Sequence, residues 1–408
     1  MKKSGEILSA IRRRYHRRKG TNPILRMGIL AVVIVFLMVS GWSYLTALTA
    51  SGQASFGVRT VEWIRGHGGA SLVREAENVY YSINAPKKGG LPPSGALKPP
   101  VTSKGRGSNS SSTTLASDPS FLPAPKSVTP LASPALPGEG KWTPEGVAVA
   151  GHYGLYVTLM RPDAVHTSLV AGLAWMDPHL LSFIQFAGAQ QPPTGGPWQY
   201  MAPIPQNLAP NLVAAFNSGF RMQDAHGGYY AYGKMAMPLV NGDASFVVYS
   251  NGTAGVVDWT GGQNIPSNVS VVRQNLHLIL NNGKVNPEVY SQNYQAWGQT
   301  VGNAVLVWRS GIGVTANGAL VYAAGPGLSV ASLSQLLQRA GAVRAMELDI
   351  NSTWVNYFYF NQTPGTAATP SVGTRLVYNM LRPPQRYFEG TARDFVGAFA
   401  RSAPLSYS

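Results

Sequence analysis

The sequence predicts an α+β domain of mostly antiparallel or mixed β-sheet with few helices, preceded by one transmembrane helix and a disordered linker. Three observations predict it. An uncharged run, Met27–Leu48, lies near the N-terminus; Pro, Ser, Gly and Lys dominate from Ala85 to about Gly140; and from Lys141 onward short apolar runs alternate with Asn-Gly pairs. Composition excludes other classes. Charged residues are 12% of the 408, about half the usual ~25%, which rules out a coiled coil and a fully disordered chain. The chain has no cysteine, which removes disulfides, thiol nucleophiles and zinc–thiolate or iron–sulfur sites.

As a helix, Met27–Leu48 would span about 33 Å, enough for a hydrocarbon core of ~30 Å. Trp42 and Tyr44 suit an interfacial aromatic belt, and Arg12, Arg13, Arg14, Arg17, Arg18, Lys19 and Arg26 set the orientation by the positive-inside rule. Residues 1–26 then form a basic cytoplasmic tail, 27–48 a single-pass anchor in the cell membrane, and everything after residue 50 is extracytoplasmic. A cleaved signal peptide is the alternative, since Ala47, Ala50 and Ala54 follow the apolar run, although a 26-residue basic region is long for one. The net charge of +15 does not point to nucleic acid. Residues 1–26 hold nine Lys/Arg against Glu6 and residues 87–126 hold six against Asp118, whereas 127–408 carry 14 basic and 12 acidic residues. With the basic groups flanking a near-neutral domain, no nucleic-acid partner is expected.

Residues 49–84 contain juxtamembrane amphipathic helices, with Phe56, Val61, Trp63 and Ile64, then Leu72, Val73, Val79 and Tyr80 as apolar faces around breaks at Gly66, Gly68 and Gly69. Residues 85–140 read as a Pro/Ser/Gly/Lys-rich linker; its lysines either lie along an anionic wall polymer or keep the linker soluble. The domain proper is 141–408. Strand-like runs are Leu155–Met160, Leu169–Met176, Leu181–Phe186, Leu212–Phe216, Ser245–Tyr249, Gly255–Trp259, Ala304–Trp308, Ala319–Ala323, Arg344–Ile350 and Thr353–Tyr359. Asn241-Gly242, Asn251-Gly252, Asn282-Gly283 and Asn317-Gly318 suit tight hairpins, so much of the sheet should be antiparallel. One helix is clear: Ser329 caps a run with Val330, Leu333, Leu336, Leu337 and Ala340 inward, and Gly341 ends it.

Three segments could carry chemistry. In the first, the strand Ala214–Phe216 runs into Asn217-Ser218-Gly219. A turn there directs an amide and backbone N–H groups outward, able to hold a hydroxyl, an anion or a cation, or it is an ordinary turn. In the second, Trp308-Arg309-Ser310-Gly311 follows an apolar strand; Arg309 could offer a forked guanidinium to a phosphate or carboxylate, or pair structurally with a carboxylate. In the third, strand alternation puts Met346, Leu348 and Ile350 on the core face and Glu347 and Asp349 together on the other, about 6.6 Å apart. Such carboxylates could serve as acid and base in glycoside cleavage, bind a hard cation, or lie on a solvated face with one paired to Arg309. Trp308, Trp354 and Tyr357 could stack on a sugar or belong to the core.

In this order the three segments resemble the phosphodiester glycosidase family of the uncovering-enzyme type, whose pattern is Asn-Gly-Gly-Phe, then Arg-Thr-x-Ile-Gly and a hairpin, then a leucine-rich helix and a strand ending in Leu-Asp-Gly-Gly-Gly-Ser. Here they stand as Asn217-Ser218-Gly219-Phe220, Arg309-Ser310-Gly311-Ile312-Gly313, the hairpin at Asn317-Gly318, the helix at 330–340, and Leu348-Asp349-Ile350-Asn351-Ser352-Thr353. The glycine run after the aspartate is replaced by Ile350-Asn351-Ser352. The resemblance covers about residues 210–355 and implies cleavage of a sugar from a phosphodiester. It implies Arg309 holding the phosphate, Asp349 as acid/base or cation ligand, and Asn217 orienting a sugar hydroxyl or a ligand water. Glu347 joins as a second catalytic carboxylate from alternation alone. Ser218, Gly219, Ser310, Asn351, Trp308 and Trp354 complete a substrate site, with Asp349 and Asn217 as ligands should Ca2+ be bound. The expected partners are the membrane and a cell-envelope glycan or anionic wall polymer. The alternative is an inactive envelope protein that binds glycan with the same fold.

Overall fold

The computed structural model describes residues 23–50, 56–97, 120–189, 191–291, 294–297 and 306–405, and the chain divides into two units, one ending at Ala70 and one beginning at Ser71. In the first, Pro23–Thr49 is a 27-residue helix. Its segment Ile24–Thr49, with mean hydropathy 2.4 and no buried residue, is long and apolar enough to cross a membrane. The helix Phe56–Gly66 returns along its end: the Tyr44 hydroxyl meets Thr60 Oγ1 at 2.9 Å, and Trp63 Nε1 donates to Ser43 Oγ at 3.1 Å. The helix Ala70–Ile83 follows, so the two expected amphipathic helices form and break at the glycines.

Three sheets build the second unit, and all of their ladders are antiparallel. The first has eight strands in the order Thr143–Val149, His152–Met160, Ala171–Met176, Leu320–Leu328, Val307–Thr315, Ala342–Ile350, Leu278–Asn281, Lys284–Val285. The second has Lys234–Met237, Tyr229–Ala231, Val269–Gln274, Ala244–Tyr249 and Ala254–Asp258. The third has Gly373–Arg375, Tyr357–Phe360, Leu212–Asn217, Phe395–Ala400 and Leu181–Phe186. One core draws on all three, with Leu155, Met346, Phe246, Tyr229, Phe216 and Tyr357 in contact. Three of the four Asn-Gly pairs close hairpins; Asn241-Gly242 instead leads into Ala244–Tyr249, because its neighbour in the sheet is Val269–Gln274.

The helix forms at Val330–Arg339, opened by a capping box between Ser329 and Ser332. Leu333, Leu336 and Leu337 lie on one side and pack on the eight-stranded sheet against Ala345, Val321 and Trp175. Gly311 explains how it sits so close: a Cβ there would come within 2.9 Å of the Met346 carbonyl and 3.1 and 3.2 Å of Leu337 and Leu333. The expected run Ala304–Trp308 is displaced accordingly. Its first residues, 304–305, lie outside the described ones, and the strand is Val307–Thr315, so Arg309–Gly313 lies within it.

The expected linker also differs. Residues 98–119 lie outside the described ones, while 120–140 pack on the domain. Val128 and Ala132 are buried there, Val128 N–H donates to Gly140 O at 2.9 Å, and Glu139 takes both Nε and Nη2 of Arg161 in a buried ion pair. A few apolar residues and one carboxylate among the prolines are enough to hold this segment down.

Gly311→Val should lower stability by about 1–3 kcal/mol, since a branched side chain forces the helix off the sheet. Chemical denaturation measures this, and an unchanged midpoint would mean that the helix is not seated on this strand.

Candidate active site

The third sheet creates a site at one edge. Leu212–Asn217 is flanked by Tyr357–Phe360 and Phe395–Ala400, both antiparallel to it, so its C-terminal end lies beside the starts of its neighbours. The ladder continues past the strand ends: Asn217 N–H donates to Asn356 O at 3.0 Å and Ser218 N–H to Asp394 O at 3.3 Å. Asp349 joins from the eight-stranded sheet, its N–H donating to Ser218 O at 3.1 Å. Here a pocket opens, lined by Asn217, Ser218, Gly219, Asp349, Trp354 and Asn356, and by Arg386, Tyr387, Arg393 and Asp394. It is partly open to solvent and offers ≈ 10 Å³ to a water-sized group. That space seats about one water.

Asn217 uses its whole amide within the protein. Nδ2 donates to Ser218 O (2.9 Å) and Ser310 Oγ (3.0 Å), and Oδ1 accepts from the Tyr322 hydroxyl (2.9 Å) and Asn356 N–H (3.0 Å). Ser310 Oγ in turn donates to Asp349 O at 2.7 Å. Asn217 and Ser310 therefore position Asp349, and neither has a hydrogen-bonding group left for a sugar hydroxyl. Asp349 Oδ1 accepts from Ile350 N–H at 2.8 Å and Oδ2 from Arg393 at 3.1 Å.

Glu347 and Asp349 do not share a face. The pairing slips between Arg309↔Ile350 and Gly311↔Glu347, and this bulge breaks the simple alternation of the strand. Glu347 is fully buried and forms an ion pair with Arg309, whose Nε also donates to Leu328 O at 2.9 Å. Burial pushes the Glu347 carboxyl above its usual range, against the pull of the Arg309 charge. Neither residue lines the pocket. Trp308 packs against the central core and Tyr357 is buried, stacked on Phe216 at 5.5 Å, so of the three aromatics Trp354 alone is at the site. Asn351 is not in the lining either; it adopts φ 88°, and its Oδ1 accepts from Thr353 N–H at 2.9 Å. This backbone suits the glycine of the family pattern, and an asparagine tolerates it.

The residues missed lie after residue 355. Trp354 carries Arg393 over its ring at 3.5 Å, Arg386 at 5.1 Å and Arg382 at 5.8 Å. Burial, and then the charges of Arg382 and Arg393, lower Arg386 to about 10. Asp394 is a second carboxylate at the pocket, held through Oδ2 by Arg273 Nε at 2.8 Å, while Arg273 also donates to the Phe220 carbonyl. The signal was present in the sequence: five arginines between 375 and 401, against Glu389 and Asp394, in a domain otherwise near neutral.

Among the described residues no three His, Cys, Asp or Glu side chains come together. Ca2+ takes about six to eight oxygens. Here the oxygens of Asp349 and Asn217 already accept N–H and O–H groups, and the pocket adds guanidiniums. This donor set does not fit Ca2+.

Residues 210–381 match the family model of phosphodiester glycosidases. Among solved structures, the zebrafish N-acetylglucosamine-1-phosphodiester alpha-N-acetylglucosaminidase catalytic domain, auto-inhibited by its pro-peptide, is similar at 12% identity and a TM-score of 0.39, covering 64% of this chain and 88% of that one. A hypothetical protein from Synechocystis is similar at 12% identity and a TM-score of 0.36, covering 64% of each chain. No curated protein matches in sequence.

Arg309→Met leaves Glu347 buried without its partner and should cost about 3–5 kcal/mol, most of it recovered when Glu347→Leu is added. Thermal melts check this, and a double variant as weak as the single one would show that the pair does not hold the crossing. At the bulge, Asn351→Gly should melt at or above the wild type. Asn351→Val should lose about 1–2 kcal/mol; equal melting of the two would remove the backbone argument.

Proposed function

We propose that this chain, which carries a phosphodiester glycosidase domain over residues 210–381, is a membrane-anchored extracytoplasmic hydrolase that releases a sugar from a sugar phosphodiester of a cell-envelope glycan or wall polymer. The observation that carries the reading is the meeting of Asp349 with the Asn217-Ser218-Gly219 turn in one polar pocket. The apolar helix Ile24–Thr49 and the basic residues before it support the anchor and its orientation. In this reading Asp349 moves the proton at the glycosidic oxygen as acid or base, Asn217 and Ser310 fix its backbone, and Arg393 holds its carboxylate in place. Asp394 takes the place that strand alternation assigned to Glu347, as the second carboxylate of the pocket.

One observation favours the second reading, a glycan-binding protein without activity: the pocket offers only ≈ 10 Å³ to a water-sized group. The test separates the two. Full-length chain in detergent micelles is given a panel of sugar phosphodiesters and anionic wall polymers, with and without Ca2+, and sugar release is measured. Release that falls roughly 10²–10⁴-fold in Asp349→Asn, at unchanged melting temperature, is the expected result. No release from any substrate, with saturable glycan binding, would replace the hydrolase by the binding protein.

A further inference from the structure

Arg386 differs from four of the other buried arginines. Arg161, Arg273, Arg309 and Arg393 each hold a carboxylate, from Glu139, Asp394, Glu347 and Asp349 respectively. Arg386 is 4% exposed, yet its one hydrogen bond among the described residues is from Nη1 to Thr391 O, at 3.3 Å. Its Nε and Nη2 donate to nothing there, and the side chain lines the pocket. A guanidinium taken out of water without an anion is costly, and Arg382 and Arg393 on the same indole add repulsion. Of the charged side chains that line the pocket, Asp394 is already paired with Arg273 and Asp349 with Arg393, while Arg386 has no carboxylate at hydrogen-bond distance among the described residues. Its positive charge is left over.

We propose that Arg386, with Arg393 beside it, is the oxyanion seat of this site and takes the phosphodiester group of the ligand, the place that the motif pattern gives to Arg309. The inference rests on the phosphodiester reading above and deepens it. A phosphodiester carries a single negative charge, which matches the surplus. The planar fork of a guanidinium offers two parallel N–H groups to two phosphoryl oxygens, a match an ammonium cannot make. Asp349 and Arg386 line the same pocket, so a diester seated on Arg386 brings its glycosidic oxygen towards Asp349. Arg386 lies beyond the stretch that matches the family model, which ends at residue 381; the seat is assigned from this chain's own geometry.

The test titrates the full chain in micelles with dimethyl phosphate, a monoanionic diester, by calorimetry, with methyl glucoside as the neutral control. The wild type should bind dimethyl phosphate saturably and methyl glucoside far more weakly. Arg386→Met should weaken diester binding roughly ten- to hundredfold, the loss of charge-assisted hydrogen bonds, and Arg386→Lys should fall between. Arg386→Met should melt no lower than the wild type, because a crowded cation is removed, and dimethyl phosphate should raise the melting temperature of the wild type but not of Arg386→Met. Equal diester affinity in wild type and Arg386→Met, or no binding by the wild type at tens of millimolar, overturns the seat. Diester binding without sugar release from any substrate leaves the seat standing and overturns the hydrolase. Sugar release with KM unmoved by Arg386→Met does the reverse.

Discussion

The site depends on one amide. The four hydrogen bonds of Asn217 reach the strand Val307–Thr315 through Ser310, the strand Leu320–Leu328 through Tyr322, its own loop through Ser218, and the start of Tyr357–Phe360 through Asn356. Two sheets are thereby joined where the strand Leu212–Asn217 ends against the paired strands of the other. The amide is 6% exposed, and a buried donor or acceptor left unpaired costs more than a pair contributes, so all four partners are held at once. Asp349 inherits its position from this arrangement, because its carbonyl and its N–H are taken by Ser310 and Ser218.

The charges sort themselves around that junction. Arg309 and Glu347 turn away from the pocket, under the helix Val330–Arg339 that Gly311 lets approach the sheet. Asp394 and Arg273 form a second buried pair, which ties the Phe220 carbonyl to the third sheet's edge. Both pairs are closed by partners within the domain. Two of the arginines on Trp354, Arg386 in the turn Pro384–Tyr387 and Arg393 before Phe395–Ala400, line the recess instead, and of these Arg393 is paired with Asp349.

Much of the fold was legible in the sequence because its signals are local. The capped helix, the hairpins at Asn251-Gly252, Asn282-Gly283 and Asn317-Gly318, and the apolar N-terminal helix each follow from a few neighbouring residues. The site was legible in part: Asn217, Ser218, Gly219, Asp349 and Trp354 do line one pocket. What failed was long-range. Period-two alternation assumes an unbroken ladder, and the slip beside Glu347 depends on a partner strand more than thirty residues away. The pairing of Arg309 with one of the two carboxylates was among the readings open to the sequence; that it is Glu347, buried within the sheet, depends on the same long-range register. Residues 120–140 read as linker because their few apolar groups have no period, although Val128 and the pair Glu139–Arg161 fasten them.

That fastening lies apart from the pocket. The segment 120–140 joins the domain beside the strand His152–Met160, through Gly140 N–H to Leu159 O and Arg161 to Glu139. None of its residues lines the pocket, which lies at the end of Leu212–Asn217 in another sheet. The fastened segment and the recess therefore sit at different strands, and none of residues 120–140 covers Asp349 in the pocket lining. Of the basic residues of 87–126, the described Lys87, Lys88 and Lys126 do not line the pocket either; its cations are Arg386 and Arg393. Among the described residues the arginines gathered on the Trp354 indole are held by buried neighbours, so their guanidiniums have a fixed geometry at the recess.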